Sequence, residues 1–181
     1  MNKKMIYSII GIGIAAFFAF GFYNAQQLQL IRITKTVTLN SSTEAAFKMV
    51  KLLKNFPKWS PFLAKDPTQN YYVTGIDGQI GAQYHWEGNN GKDLGFQEII
   101  SITENESITM QCDIQKPFVA KPTFNYSFKT THEGVLVTQN FELQSGLIDS
   151  FFLWLFGIKS KMEKTNEQGL QLLKKSLENP E

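Results

Sequence analysis

The chain has 181 residues, enough for one domain with an appendage and too few for two full domains. Its formal charge is +2, and without Lys3 and Lys4 the remainder is neutral, which argues against the basic stripe of a nucleic-acid surface. A single cysteine, Cys112, leaves no disulfide framework and no thiolate metal site, while fifteen Phe suit a core of large apolar volume or an apolar cavity.

Residues 5–23, MIYSIIGIGIAAFFAFGFY, carry no charge. At 1.5 Å per residue this run reaches about 28 Å, close to the ~30 Å hydrocarbon core of a bilayer. It predicts a membrane anchor. The competing reading is a cleaved signal peptide, for which Ala19-Phe20-Gly21 offers a small-x-small site, although inside the apolar run. Lys3 and Lys4 hold residues 1–4 in the cytoplasm by the positive-inside rule and place the domain outside; Arg32 and Lys35, farther from the other end, pull against that orientation. Residues 24–29 read as a polar tether and 30–179 as the domain.

Residues 30–39, LIRITKTVTL, alternate strictly, with Ile31, Ile33, Lys35, Val37 and Leu39 on one side, as a half-buried strand does. Ser41 with Glu44 forms a capping box that starts a helix carrying Ala46, Phe47, Val50 and Leu53 inward. Asn40-Ser41-Ser42 also matches a glycosylation sequon, which the helix start makes unnecessary. Lys48, Lys51, Lys54 and Lys58 are the solvated face of that helix, and residues 56–62 form a second, aromatic-rich turn. Six runs of strand character follow at 71–76, 83–87, 94–103, 107–114, 123–130 and 135–143, separated by turn chemistry such as Asp77-Gly78 and Asn89-Asn90-Gly91. Short connections make them an antiparallel meander.

The last stretch, 146–177, is helical. The positions 155, 158, 162, 166, 169, 173 and 177 keep to one face, in one helix or two shorter pieces. Gly169 on that face costs about 1 kcal/mol relative to Ala, which suggests a close approach to another backbone. Phe151 through Phe156 is a run of six apolar residues that cannot share one helix face, so some must meet the cavity mouth, a partner or lipid. The predicted fold is α+β: a seven-stranded curved antiparallel sheet around a long C-terminal helix, with two short helices after the first strand.

Several stretches carry a family resemblance: Phe56-Pro57-Lys58-Trp59-Ser60-Pro61-Phe62, then Asp66-Pro67, then Gly78 through Gly88 (GQIGAQYHWEG). Asn105-Glu106-Ser107-Ile108 and Gly169-Leu170 with Leu173-Lys174 complete them. In this order and spacing the chain resembles the START-like, Bet v 1-like helix-grip superfamily (SRPBCC), and within it the polyketide cyclase/dehydrase branch. Gln139 departs from the pattern, because relatives often carry Trp on the last strand. The resemblance implies a cavity between helix and sheet for an apolar or amphipathic ligand and no one defined reaction; the sequence has no phosphate loop and no dinucleotide fingerprint, and no cofactor is expected.

Strand parity then sorts the polar groups. Tyr84 and Trp86 point opposite to His85 and Glu87; their bulk suits the inside, which leaves His85 and Glu87 solvated, while the reverse would make them an acid/base pair. Glu98 shares a face with Phe96, Ile100 and Ile102, which buries it; the alternative is a bulge that turns it out beside an inward Ile99. Gln139, between Val137 and Phe141, is a polar point in an apolar wall or a partner of a neighbouring group. The expected lining is Trp59, Phe62, Tyr84, Trp86, Phe96, Glu98, Met110, Tyr126, Gln139 and Phe141. Glu98, His85 and Tyr126 are the candidate proton-transfer groups. The two histidines, His85 and His132, lack metal-ligand spacing. Three functions stay open: a membrane-tethered binder of an apolar small molecule, a cyclase- or hydrolase-like enzyme, and a protein-partner module. The binder leads.

Overall fold

The computed structural model describes residues 2–178; Met1, and Asn179 at the expected end of the domain, lie outside them. Seven strands form one antiparallel sheet: β1 (Leu30–Leu39), β2 (Asn70–Thr74), β3 (Gln83–Gly88), β4 (Asp93–Thr103), β5 (Ser107–Lys116), β6 (Thr123–Thr131) and β7 (Gly134–Gln144). Their order is β1-β7-β6-β5-β4-β3-β2, so β2 to β7 are a meander and β1 closes beside the last strand. The helices are α1 (Lys3–Gln26), α2 (Thr43–Lys51), α3 (Leu147–Leu155) and α4 (Ile158–Glu178), with a 3₁₀ turn at Leu53–Lys58. The curved sheet wraps α4, giving the expected α+β helix-grip architecture.

α2 is capped by Ser42, not by Ser41: the Ser42 hydroxyl accepts from the Ala45 N–H at 3.1 Å. The C-terminal stretch is two helices. Gly157 joins them at φ +59°, a left-handed conformation that glycine adopts without a Cβ penalty. Gly169 is not at a backbone crossing: a Cβ there would meet only the Pro61 ring, at 3.5 and 3.6 Å. α1 is long and apolar enough to cross a membrane, and only Gly21 and Ala25 of it are buried.

The register gives the sheet two unlike ends. One gathers the start of β1, the end of β7, the start of β6, the end of β5, the start of β4, the end of β3 and the start of β2. α1 leads into this end and α3 leaves it, and the Ser145 N–H donates to Gln29 O at 2.8 Å to hold the two connections together. At the other end α2 lies over the strands. Phe47, Val50 and Leu53 pack there with Leu39, Ile108, Val135, Leu170 and Leu173 into a closed apolar core. A smaller cluster of Ile31, Ile33, Phe141 and Leu143 sits toward the α1 end, with Leu28, Leu153 and Met162 against it.

Candidate functional site

Between the closed core and the α1 end the space under α4 is unfilled, leaving a cavity of about 930 Å³. Strand alternation supplies its floor. Tyr84 and Trp86 come from β3, Gln97 from β4, Cys112 and Ile114 from β5, Tyr126 from β6, and Gln139 and Phe141 from β7. Trp59 and Phe62 follow the 3₁₀ turn, and α4 contributes Met162, Asn166 and Gly169 to the roof. Trp59 is held edge-on between Phe56 and Tyr126, at ring separations of 4.7 and 5.9 Å. Such aromatic pairs add about 0.5–1.5 kcal/mol each beyond area burial and fix the wall's shape.

Polar atoms are set into this apolar surface. Gln139 Nε2 donates to Tyr126 Oη at 2.8 Å, and the Cys112 thiol donates to Gln97 Oε1 at 3.6 Å. Burial pushes the Tyr126 phenol up, with the Gln139 amide opposing, and pushes the Cys112 thiol up to about 12. Burial likewise raises Tyr84. All three stay protonated at neutral pH. Four buried atoms on lining residues have no hydrogen-bond partner among the described residues: Trp59 Nε1, Tyr84 Oη, Gln139 Oε1 and Asn166 Nδ2. Leaving such an atom unpaired costs about 1–3 kcal/mol; each of the four is enclosed by the surrounding side chains and is not open to the cavity.

The mouth lies at the α1 end, between the turn after β3, the loop between β5 and β6, and the segment before β2. Asp66 braces it: Oδ1 accepts from Thr68 Oγ1 at 2.6 Å and Oδ2 from the Asn89 N–H at 2.9 Å. The Thr68 hydroxyl, then the Asn89 N–H, hold this carboxyl below its ordinary range. Trp86 Nε1 donates to Asp93 Oδ1 at 3.1 Å. Gly95 lets that indole lie flat, since a Cβ there would stand 2.6 Å from it and closer still to the Asp113 carbonyl.

Of the residues expected in the lining, Trp59, Phe62, Tyr84, Trp86, Tyr126, Gln139 and Phe141 border the cavity. Phe96 and Glu98 do not. β4 turns Gly95, Gln97 and Ile99 inward, and a register shift between Ile99 and Ser101 changes the parity of the remainder. The alternation of Phe96, Glu98, Ile100 and Ile102 therefore spans a bulge and describes no single face. Glu98 lies on the outer face, where Gln83 Nε2 donates to it at 2.7 Å. Phe96 packs there on His85, whose ring stacks on Tyr72 with centroids 4.6 Å apart. Met110 faces inward but belongs to the closed core. His85 and Glu98 are thus separated by the sheet from Tyr126 and cannot act with it on one ligand. His132 is exposed in the turn before β7.

Gln97 and Asn166 are lining residues that sequence reasoning missed. The bulge hid the parity of Gln97, whereas Asn166 stands on the apolar stripe of α4 with Met162 and Gly169, and a polar residue on that stripe was the available signal. No group of three or more His, Cys, Asp or Glu among the described residues is placed to hold a metal ion.

No family model matches the sequence, and no curated protein sequence matches it. Solved structures do share the fold. A protein of Chromobacterium violaceum aligns with a TM-score of 0.61 at 12% identity, over 81% of this chain and 97% of its own. The Aha1 dimer of Colwellia psychrerythraea aligns with 0.58 at 13% identity, over 82% and 97%. The di-domain ARO/CYC StfQ from the steffimycin biosynthetic pathway aligns with 0.61 at 11% identity, over 82% of this chain and 51% of that longer one. At these identities the likeness is one of fold, and the fold is the helix grip.

Proposed function

We propose that this protein is a membrane-tethered binding module that holds an amphipathic small molecule under α4. The observation that carries the reading is the cavity itself: about 930 Å³, walled mainly by aromatic and aliphatic side chains, with Gln97, Gln139 and Asn166 set among them. Ligand sites of this volume suit lipid-sized molecules, and a few polar groups in an apolar wall fix orientation. The side-chain amides of Gln97, Gln139 and Asn166 bring donors and acceptors to that wall. A carbonyl-, hydroxyl- or carboxyl-bearing chain or ring system answers that set. The resemblance to the polyketide cyclase branch, and the shared fold of the ARO/CYC structure, favour the same ligand class. α1 supplies the tether, with Lys3 and Lys4 on the cytoplasmic side and the domain outside.

A proton-transfer role is the weaker reading, because of Glu98, His85 and Tyr126 only Tyr126 stands on the cavity wall, and its phenol is held neutral. Native mass spectrometry of the full chain released from detergent tests the binding. A discrete small-molecule adduct is expected, and Phe141→Trp, which adds bulk to the cavity wall beside Phe124 and Met162, should remove it. A folded chain that carries no adduct, and takes up no apolar fluorophore saturably, would reject the reading.

A further inference from the structure

The apolar surface at the α1 end is continuous. α3 carries a single charged residue, Asp149, in its first turn. Its inner side packs on the last turns of α1: Phe151 stacks on Phe18 at 5.7 Å and lies tilted against Phe22 at 4.8 Å, and Trp154 lies 5.8 Å from Phe20. Gly21 makes this possible, since a Cβ there would stand 2.8 Å from the Trp154 ring and overlap Phe151. The outer side of α3 has no cover. Ile148 is 68% exposed, Phe156 59% and Phe152 49%. A helix apolar on both sides, paired with the last third of a span-length helix, is at the depth of that span and not beside it.

The same end of the sheet holds the cavity mouth. The loop between β5 and β6 is tied across its base by the Ile114 and Ala120 backbones, at 2.9 and 3.1 Å. At its tip Phe118 is 50% and Val119 77% exposed, and Phe62 stands exposed across the mouth. Lys65, Lys92 and Lys161 border the opening and form no ion pair among the described residues. Asp66 and Asp93 stand beside them, Asp66 accepting from Thr68 and Asn89 and Asp93 Oδ1 from Trp86. Aromatic tips among lysines are the composition of a bilayer interface.

We infer that α3 lies within the bilayer against α1, and that this pair seats the cavity mouth, through Phe62 and Phe118, on the lipid surface. The ligand then passes between bilayer and cavity without crossing water. This rests on the reading of α1 as a membrane helix and deepens the proposed binding role by naming the phase from which the ligand comes.

The test is depth-dependent quenching of the full chain in lipid nanodiscs of phosphatidylcholine and phosphatidylglycerol. Ile148→Cys, Phe118→Cys and His132→Cys are each labelled with an environment-sensitive fluorophore; Cys112 is buried, and the unsubstituted chain gives the background. Spin-labelled lipid should quench the labels at 148 and 118 several-fold, and leave 132, at the far end of the sheet, untouched. Aqueous iodide should give the reverse order. A label at 118 as open to iodide as the one at 132 would overturn the inference, even with 148 in lipid. Protection at 148 from lipid and iodide alike would show a protein partner on α3 and overturn it also. Loss of the chain from nanodiscs under carbonate would reject both membrane readings, whereas the adduct measurement reports on the cavity separately.

Discussion

Gly169→Ala should stabilise the protein. Gly169 lies buried in the middle of a 21-residue helix, where glycine costs about 1 kcal/mol relative to alanine. The penalty would be worth keeping only if a methyl group had no room, and here it has room: the Pro61 Cδ and Cγ atoms at 3.5 and 3.6 Å are ordinary van der Waals neighbours. The added methyl gains contact with Pro61 and does not displace it. For a chain of this size about 1 kcal/mol corresponds to roughly 2–4 °C in midpoint, so thermal unfolding of the detergent-solubilised full chain, followed by far-ultraviolet circular dichroism, should show a rise of that order. An unchanged or lowered midpoint would refute the placement of α4 over Pro61 and restore the tight backbone approach that the lone glycine suggests in the sequence.

The same substitution at Gly95 should act in the opposite direction, lowering stability by about 1–3 kcal/mol, because the methyl would strike the Trp86 indole and the Asp113 carbonyl; Trp86 fluorescence should shift with it, and a silent variant would mean the indole lies elsewhere. Stability should also fall at alkaline pH. The Cys112 thiol, ordinarily near 9.0, is pushed up to about 12 in the fold, so above pH 9.0 the unfolded chain releases a proton that the folded chain keeps. The loss is up to about 1.4 kcal/mol per pH unit, and the raised phenols of Tyr84 and Tyr126 add the same sign above pH 10.0. In urea unfolding series, Cys112→Ala should flatten the fall between those two values; parallel curves for the two proteins would contradict the burial of the thiol.

Most of this architecture is legible in the residues because two periods are enough to reveal it. β1 alternates without a fault, and its expected and observed limits coincide at Leu30 and Leu39. The meander strands agree to within two residues, since Gly, Asn and Asp mark the turns and Pro117 and Pro122 bound the loop between β5 and β6. Side-chain direction was harder. On β3 one parity serves the whole strand, and bulk alone turns Tyr84 and Trp86 inward. On β4 the bulge after Ile99 places two parities in one run, and a count by twos carries Glu98 to the wrong face. Long-range packing is silent in a linear pattern: nothing local indicates that Gly21 receives Phe151 and Trp154, or that Gly169 meets a proline ring and not a strand. Asn166 was visible as a polar break in an apolar stripe, but only a third dimension shows what it faces.

The pairing of β1 with β7 sets an order of events during synthesis. Leu39 pairs with Val135 and Leu30 with Gln144, so the first strand waits roughly a hundred residues for its only neighbour in the sheet. At about 5–20 residues per second, that interval is on the order of 5–20 s. Throughout it, Ile31, Ile33, Val37 and Leu39 hang directly behind α1, with the meander still emerging. Closing so long a loop costs little more than closing one half its length, but the delay itself exposes an aggregation-prone edge. In the proposed membrane-tethered form, attachment of the nascent chain through α1 would keep that strand away from other unfinished copies until its partner arrives.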